Sequence, residues 1–253
     1  MPVIDLSATI ASSFEGSPEY QRVDISYHDH ARGAAQIQTM FKIPPDLLRN
    51  GEGWATETIT YLNTHTTTHV DAPWHYNSRI GGRRAQTIDE LPLEWFFSDG
   101  IVLDMTSKRD GDAVTEEDLR RELARIGYTL KTLDIVLIRT GRDRYLNDWD
   151  YIYRGCGVTA EATRWLFEQG IRVTGIDAWS WDRPLNIQAE EAIAKQRRGI
   201  FWEAHQAGLP YCHMERLVNL DRLPPFGFKI ACFPLKIKGG SAGPARVAAI
   251  LPE

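Results

Sequence analysis

The chain has 253 residues, of which 43% are hydrophobic and 25% are charged, a composition typical of a globular protein with one large buried core. Its formal net charge of -5 provides no overall positive field for phosphate backbones or anionic lipids, so we predict no nucleic-acid partner and no membrane partner. No stretch approaches the ~20 apolar residues of a membrane span. The three cysteines contain no C-x-x-C pair, which indicates neither a disulfide framework nor a thiolate zinc site and predicts a cytoplasmic protein.

The segment 63–75 concentrates the residue types that bind metal ions. Within eleven residues it carries three of the seven histidines and one aspartate, at His65, His69, Asp71 and His75. Imidazole and carboxylate are the ligands expected for Zn²⁺ and, with more oxygen and water, for Mn²⁺. On a straight strand His65 and His69 would lie roughly 13 Å apart. The β-branched residues 66–68 and Pro73 disfavour a helix. We therefore expect a turn within residues 66–68 that brings both imidazoles beside Asp71.

Strands and helices alternate in the middle of the chain. Apolar runs at 101–105 and 134–139 predict two strands, and a helix between them is indicated by Thr115 with Asp118 as a capping box and by Gly127 as its end. A second helix is predicted between Thr159 and Gly170, followed by a strand at 171–177. This alternation predicts a buried sheet with helices packed on it.

The later segments are less regular. Residues 179–196 include two tryptophans and Pro184, and we predict an irregular loop there, either over a site or held on the surface by its tryptophans. Residues 229–237 and 246–251 predict two strands joined by a turn at 239–244. Ser241 in that glycine-rich turn is interpreted as a turn residue or a donor near the site, not as the nucleophile of a serine hydrolase. A hydride-transfer enzyme is disfavoured because no Gly-x-Gly-x-x-Gly occurs.

The histidine-rich segment resembles a family signature. Its residues His65, Thr68, His69, Asp71, Pro73 and His75 stand in register with His-x-Gly-Thr-His-x-Asp-x-Pro-x-His. This is the motif of the cyclase-like metal hydrolases, which include kynurenine formamidases, isatin hydrolases and a dienelactone hydrolase. The resemblance continues through residues 175–177, His205, 215–220 and 232–250. One departure is Thr67, where the family usually has glycine; if that glycine has positive φ, Thr67 must be strained or the turn must differ.

The resemblance implies a fold and an assembly. The fold is an α/β swivelling β/β/α arrangement, one domain over residues 1–253 with a mixed sheet or barrel flanked by helices. The family also implies a homodimer or homotetramer. We expect an N-terminal exchange segment within residues 1–50, which includes Phe14, Tyr20 and Phe41.

The resemblance also implies a divalent metal site, with Mn²⁺ or Zn²⁺ as one ion or two. The implied first site uses His65, His69 and Asp71 as ligands. His75, His205 and Glu215 then serve either as ligands of a second ion that shares Asp71 or as the proton-transfer groups of a one-metal site. His213 is a rival for His205, because the spacing from His205 to Glu215 is shorter than the family pattern.

The implied activity is hydrolysis of a small-molecule amide, either a cyclic amide or an arylformamide, by metal-activated water. Lactone hydrolysis is the alternative reaction. A catalytically silent metal-binding or ligand-binding protein on the same fold is an alternative of a different class. Trp54 and Trp74 lie near the motif and are candidate stacking walls for an aromatic substrate, although core packing also explains tryptophans in these positions.

Overall fold

A computed structural model of the chain describes residues 1–13, 17 and 19–252. The chain divides into two compact units: the first unit comprises Met1–Ala8 and Thr67–Glu253, and the second unit comprises Thr9–Thr66. The single domain over 1–253 and the exchange segment within 1–50 stay predictions. Phe14, one of the residues named for that exchange, lies outside the described residues.

The described residues form fifteen strands and five α-helices. The strands are β1 (Val3–Asp5), β2 (Val23–His28), β3 (Thr56–Leu62), β4 (His69–Asp71), β5 (Arg79–Ile80), β6 (Arg83–Arg84), β7 (Phe97–Asp104), β8 (Ala113–Val114), β9 (Ile135–Arg139), β10 (Gly157–Val158), β11 (Val173–Ile176), β12 (Cys212–Glu215), β13 (Phe228–Ala231), β14 (Ala242–Pro244) and β15 (Ala248–Ile250). The helices are α1 (His30–Phe41), α2 (Pro73–Tyr76), α3 (Glu116–Ile126), α4 (Ala160–Glu168) and α5 (Leu185–Lys195).

A nine-stranded mixed sheet forms the centre of the first unit, in the order β1-β15-β13-β7-β9-β11-β12-β4-β14. The four strands β7, β9, β11 and β12 run parallel to one another. On either side of them the pairings are antiparallel, and β4 lies between β12 and β14. Parallel strands covered on both faces have continuous apolar sequences, as in the Ile-Val-Leu-Ile run of β9.

Helices α3 and α4 cover one face of this sheet, as the sequence predicts. Thr115 caps α3 in a capping box with Asp118, and α3 ends at Gly127 with a φ of 68°. Thr159 caps α4, and its side chain accepts the Ala162 amide. The alternation of side chains along the strands then separates two apolar cores. Leu103 and Ile138 pack beneath the helices, whereas Val102 and Leu137 face the opposite core.

Two predicted segments differ from the structure. Residues 185–195, placed in an irregular loop by the sequence, form helix α5. After Pro184 this run consists largely of good helix formers, and the tryptophans and proline before it hid that preference. The predicted turn at 239–244 contains strand β14, which pairs with β4 through Ala242 and Asp71. Pro244 is tolerated there because β14 is an edge strand, whose outer N–H positions need no partner.

The glycine-rich segment 239–243 also matches the Gly-x-Ser-x-Gly spacing of a nucleophile elbow around Ser241. In the structure this segment leads into strand β14, not from a strand into a helix. The elbow requires that strand-to-helix turn to raise its serine over the sheet. The structure therefore agrees with the interpretation of Ser241 as something other than an elbow nucleophile.

The second unit contains helix α1 and the antiparallel pair β2 and β3, whose register shifts between Asp24 and Ile25. Helix α1 packs backbone to backbone on the segment at Gly53. A Cβ on Gly33 would lie 1.9 Å from the Trp54 carbonyl oxygen, so only glycine fits. Across the described part of the chain, every helix is too short or too polar to cross a lipid bilayer.

Candidate metal centre

The candidate centre is built on the paired strands β4 and β12. These strands are antiparallel, with Asp71 opposite His213 and His69 opposite Glu215. Because side chains alternate along a strand, these four residues share one face of the sheet. On the other face, Val70 packs in the apolar core. All four polar residues are at most 5% exposed. The sheet register therefore places two carboxyl groups and two imidazoles together in the interior.

Thr67 turns the chain immediately before β4, within the predicted turn. Its φ is 60°, in the left-handed region that costs a β-branched residue about 1–2 kcal/mol. The Thr67 carbonyl oxygen lies 2.8 Å from His69 Nδ1. Since a carbonyl only accepts, Nδ1 carries the proton, and Nε2 presents its lone pair 3.2 Å from Asp71 Oδ1. The strained turn thus sets the orientation and the tautomer of His69.

The tautomer of His213 is set by two buried tyrosines. His213 Nδ1 lies 3.2 Å from the Tyr211 hydroxyl and 3.3 Å from the Tyr76 hydroxyl. Each hydroxyl donates its own proton to a carbonyl, Tyr211 to Ala204 and Tyr76 to Asp71. Burial raises the pKa of each tyrosine well above the ordinary value, so both hydroxyls keep their protons. The hydroxyls therefore accept from His213 Nδ1–H, and Nε2 presents a lone pair to the centre.

Asp182 sets the orientation of His205. One carboxylate oxygen lies 2.6 Å from His205 Nδ1 and also accepts the His205 amide, and the other accepts the Ala204 amide. Burial lowers the pKa of His205, but the hydrogen bonds to Asp182 and Asp71 outweigh it and raise the pKa to about 10. His205 Nε2 lies 3.2 Å from His213 Nε2. Both imidazoles thus aim the same nitrogen at one point.

Glu215 faces these imidazoles with both of its oxygens. Oε1 accepts the Trp181 amide at 2.8 Å and lies 3.4 Å from His213 Nε2 and 3.5 Å from His205 Nε2. Oε2 lies 3.7 Å from His69 Nε2. Burial raises the pKa of Glu215, but the neighbouring imidazoles outweigh it and hold that pKa below its ordinary value. Glu215 is therefore ionised at neutral pH.

Asp71 divides the centre into two sides. Its Oδ1 faces His69, while Oδ2 lies 3.2 Å from His213 Nε2, 3.7 Å from His205 Nε2 and 3.8 Å from His75 Nε2. Glu215 has the same division, with one oxygen toward His69 and one toward the other imidazoles. The ligand atoms of Asp71, His205, His213 and Glu215 all lie within 4.8 Å of one another.

This donor set fits a divalent cation. In the metal-free protein, the His205 imidazolium balances only one of the two buried carboxylates Asp71 and Glu215, so a further positive charge stabilises the ionised forms. Three Nε2 atoms, from His69, His205 and His213, converge on the same region with orientations set by their Nδ1 partners. Hydrogen bonds of that kind are the usual outer support of metal-binding histidines. Mixed nitrogen and carboxylate donors suit Zn²⁺ and Mn²⁺.

An aromatic wall borders the centre. Trp202 stacks on His205 with ring centroids 4.5 Å apart, and its edge meets the His75 ring at 5.0 Å. The Trp202 amide donates to the side chain of buried Gln188 at 2.7 Å, which holds the tryptophan in place. The His75 side chain is 24% exposed. His75 and Trp202 therefore lie where the buried centre approaches solvent.

The structure brings together most of the predicted site residues. His69, Asp71, His75, His205 and Glu215 all lie at the centre. Both His205 and its rival His213 are present. Trp74 is on helix α2 beside His75, with 38% of its surface exposed. The functional roles of these residues remain proposals.

Two predicted residues, His65 and Trp54, belong to the second unit. The His65 amide donates to the Asn63 side chain in the turn after β3. The Trp54 indole donates to Gln36 and meets Phe41 edge to face. The roles of His65 as a ligand and Trp54 as a substrate contact stay predictions.

Sequence reasoning missed several supporting residues: Asp182, Tyr76, Tyr211 and Trp202. For His213 a signal was present, because His213 and Glu215 are two residues apart in an apolar run and so share one strand face. Asp182 carried no comparable signal, since its partner His205 lies 23 residues away.

The fold and the donor set define an α/β protein with a buried site suited to a divalent metal. A family model described as putative cyclase matches residues 4–183, and the chain belongs to this family. A kynurenine formamidase from Maricaulis maris is 30% identical over 185 residues, which cover 73% of this chain and 76% of that protein. One from Salinibacter ruber is 29% identical over 73% of this chain and 75% of its own length. The predicted family is confirmed.

Solved structures confirm the predicted fold. Isatin hydrolase A from Labrenzia aggregata, bound to benzyl benzoate, superimposes with a TM-score of 0.72 at 24% identity, covering 100% of this chain and 94% of that one. Isatin hydrolase A from Ralstonia solanacearum gives a TM-score of 0.72 at 23% identity, over 99% of this chain and 92% of its own. The cyclase-like α/β fold therefore extends over the whole chain.

Proposed function

We propose that this chain is a metal-dependent hydrolase that cleaves the C–N bond of an arylformamide or a cyclic amide. The observation that carries the proposal is the convergence of Asp71, His205, His213 and Glu215, whose ligand atoms lie within 4.8 Å of one another in the interior. The curated relatives are kynurenine formamidases, which are named for cleavage of a formamide. They confirm the predicted reaction class, hydrolysis of an amide.

The ligands are assigned from the two sides of Asp71. On one side His69 and Asp71 are in place, and we assign His65 to the same ion from the sequence motif. On the other side His205 and Glu215 face Asp71 Oδ2 and suit a second ion that shares the carboxylate. Zn²⁺ and Mn²⁺ are the proposed metals, because both accept this mixture of imidazole and carboxylate.

A divalent cation held by these residues would supply a Lewis acid that polarises the scissile carbonyl and makes water a nucleophile at neutral pH. We assign proton transfer to His75, whose partly exposed imidazole lies beside Asp71. His75 takes a proton from the attacking water as the oxygen bonds to the carbonyl carbon. It returns that proton to the leaving nitrogen as the C–N bond breaks, so the step is balanced.

The surroundings of His75 favour a planar aromatic substrate. Trp202 meets His75 and presents a half-buried indole beside it. Trp74 is the next residue to His75, and Trp54 is assigned to the same role from its closeness to the motif in sequence. Stacking on an indole contributes about 0.5–1.5 kcal/mol beyond the area that it buries. An arylformamide or an indole-derived cyclic amide suits such walls better than an aliphatic amide does.

The test uses protein stripped of metal and refilled with Zn²⁺ or Mn²⁺. Hydrolysis of N-formylkynurenine, isatin and a dienelactone is measured for the wild type and for His69→Ala, with His30→Ala as control because His30 is exposed on α1. We expect metal-restored turnover of an amide, lost in His69→Ala and kept in His30→Ala. Turnover of the lactone alone would replace the amide proposal. Tight metal binding without turnover of any compound would favour a silent binding protein.

Two further proposals concern compartment and assembly. We propose a cytoplasmic enzyme, which is supported by three free and buried cysteines that need no oxidising environment. We also propose a homodimer or homotetramer. Its support is the exposure of large apolar side chains in the second unit, including Met40, Phe41 and Leu47. Light scattering of the purified chain tests the assembly, and a monomeric mass would contradict it.

A further inference from the structure

We infer that His213 is a metal ligand and that it completes a four-donor cation site with Asp71, His205 and Glu215. This deepens the proposed function and rests on its claim that the centre binds a divalent cation. His213 lies outside the sequence motif. The motif pointed to His75 as the imidazole that joins His205 and Glu215, and the structure points to His213 for that position.

The distances between donor atoms match a tetrahedral site. Four donors about 2.0–2.2 Å from one tetrahedral ion lie roughly 3.3–3.6 Å apart. His213 Nε2 lies 3.2 Å from His205 Nε2, 3.2 Å from Asp71 Oδ2 and 3.4 Å from Glu215 Oε1. His205 Nε2 lies 3.7 Å from Asp71 Oδ2 and 3.5 Å from Glu215 Oε1. Five edges of the tetrahedron thus lie within about 0.2 Å of the expected range.

The hydrogen bonds around His213 prepare it as a ligand. Tyr76 and Tyr211 hold the proton on Nδ1, so Nε2 offers a lone pair to the centre. The rings of Tyr76 and Trp181 stack near the His213 ring, with centroid distances of 5.1 Å and 5.9 Å and interplanar angles of 19° and 15°. These contacts fix the plane of the imidazole. A ligand held in this way loses little side-chain entropy when it binds an ion.

A shared proton is the competing explanation of the short contact between His205 and His213. One protonated imidazole can donate to the other across 3.2 Å. However, a proton joins two atoms, whereas here two carboxylate oxygens lie at the same spacing and complete a polyhedron. Four converging donors indicate an ion.

The position of His75 supports the same assignment. His75 Nε2 lies 3.8 Å from Asp71 Oδ2, and its ring centroid is 5.9 Å from that of His205. Its side chain is 24% exposed, whereas that of His213 is 0% exposed. His213 therefore belongs to the enclosed donor set, and His75 lies at its margin, where a proton-transfer group is needed.

The experiment measures metal binding by the full chain, independently of activity. Zn²⁺ affinity and stoichiometry are determined by chelator competition, and the visible absorption of bound Co²⁺ reports the coordination geometry. His213→Phe keeps an aromatic ring beside Tyr76 and Trp181 and removes Nε2. His213→Asn keeps a donor for the tyrosine hydroxyls and also removes Nε2, which provides a second variant if the first does not fold. His30→Ala is the matched control.

We expect both His213 variants to bind one Zn²⁺ equivalent about 100-fold or more weakly, which exceeds the ordinary effect of losing a residue that only supports a ligand. The intensity of the Co²⁺ spectrum should fall with that loss. Tyr211→Phe keeps Nε2 and one hydroxyl acceptor, so its affinity should fall about tenfold or less. His30→Ala should match the wild type.

Zn²⁺ affinity within threefold of the wild type in a folded His213 variant, with an unchanged Co²⁺ spectrum, would overturn the inference. Absence of any tight Zn²⁺ binding by the wild type would also overturn it. The proposed function fails differently: metal binding that depends on His213, without hydrolysis of any amide, would refute the activity and leave the ligand assignment standing.

Discussion

The role of Asp182 leads to a prediction in which stability and metal binding separate. Asp182 is 2% exposed and accepts three N–H groups, from the Ala204 amide, the His205 amide and His205 Nδ1. Asp182→Asn keeps the shape of the side chain but has only one acceptor oxygen. In one arrangement the asparagine oxygen still accepts from His205, and the asparagine NH₂ group lies against the Ala204 N–H. In the other, the NH₂ group faces His205, and His205 Nδ1 loses its acceptor. In both arrangements the charge that strengthens His205 Nε2 as a ligand is lost.

The expected magnitudes follow from this count of hydrogen bonds. Loss of one bond to a buried charged group costs about 1–3 kcal/mol in the free energy of unfolding. Loss of the carboxylate behind a metal-binding histidine weakens metal affinity about 10–100-fold, or about 1.4–2.7 kcal/mol. The first effect is measured by urea denaturation of metal-free protein, and the second by chelator competition for Zn²⁺.

Asp177→Asn is the control that separates the two effects. Asp177 is also buried and also accepts three groups, the Thr140 amide, the Thr140 hydroxyl and the Gly141 amide, none of them an imidazole. We expect Asp177→Asn to lose one buried hydrogen bond, as Asp182→Asn does, and to keep its Zn²⁺ affinity within threefold. An Asp182→Asn variant that loses stability but binds Zn²⁺ as tightly as the wild type would refute the proposed role of Asp182.

Three other predictions can be checked independently. Thr67→Gly should raise the free energy of unfolding by about 0.5–1 kcal/mol in urea, because relief of about 1–2 kcal/mol of left-handed strain exceeds the entropic cost of glycine; a lower urea midpoint would contradict the strain. Burial raises the pKa of Asp118, but its bonds with Lys108 and Thr115 outweigh this and lower it to about 2. The stabilisation that ionised Asp118 gives the folded protein is therefore complete above the unfolded-state pKa of about 3.9. It is lost as the pH falls through the folded-state pKa of about 2. Asp118→Asn should cost about 2 kcal/mol at neutral pH and little near pH 2 by urea denaturation, and an equal cost at both would exclude this linkage. Trp202→Leu should raise KM for an aromatic amide about 3–10-fold, and an unchanged KM would remove Trp202 from the substrate wall.

The regular elements that position the site were largely accessible from sequence because their signals are local. Helix α3 begins at the predicted capping box and ends at Gly127, and both signals lie within one turn of the helix ends. Strand β14 was not accessible in the same way. The residues Ala242–Pro244 have turn composition, and they form a strand because β4 offers them an edge. Such pairing depends on a partner more than 150 residues away in the chain, which no local pattern records.

At the candidate centre, the sequence indicated the residues that are close to one another in the chain but not the supporting groups that come from distant segments. His69 and Asp71 were predicted together because they are two residues apart. The turn at Thr67 was predicted because the β-branched residues 66–68 disfavour a helix. The supporting groups of the imidazoles come from three other segments, at Tyr76, Asp182 and Tyr211. The motif could not indicate that His205 and His213 both reach the centre. That result depends on the register of β12 against β4 and on the contact of Asp182 with His205.

The strands and the irregular segments control different properties of this centre. The two carboxylates, His69 and His213 are fixed by the register of β4 and β12, and a slip of one residue in either strand would turn its two donors into the apolar core. Val70 and Met214, buried on the opposite face, oppose such a slip. His205, in contrast, lies in a turn-rich segment and depends on Asp182 and on stacking with Trp202. Local opening of that segment would withdraw His205 from the centre while the strand-borne donors keep their positions, so metal affinity depends on loop order more directly than on the stability of the sheet.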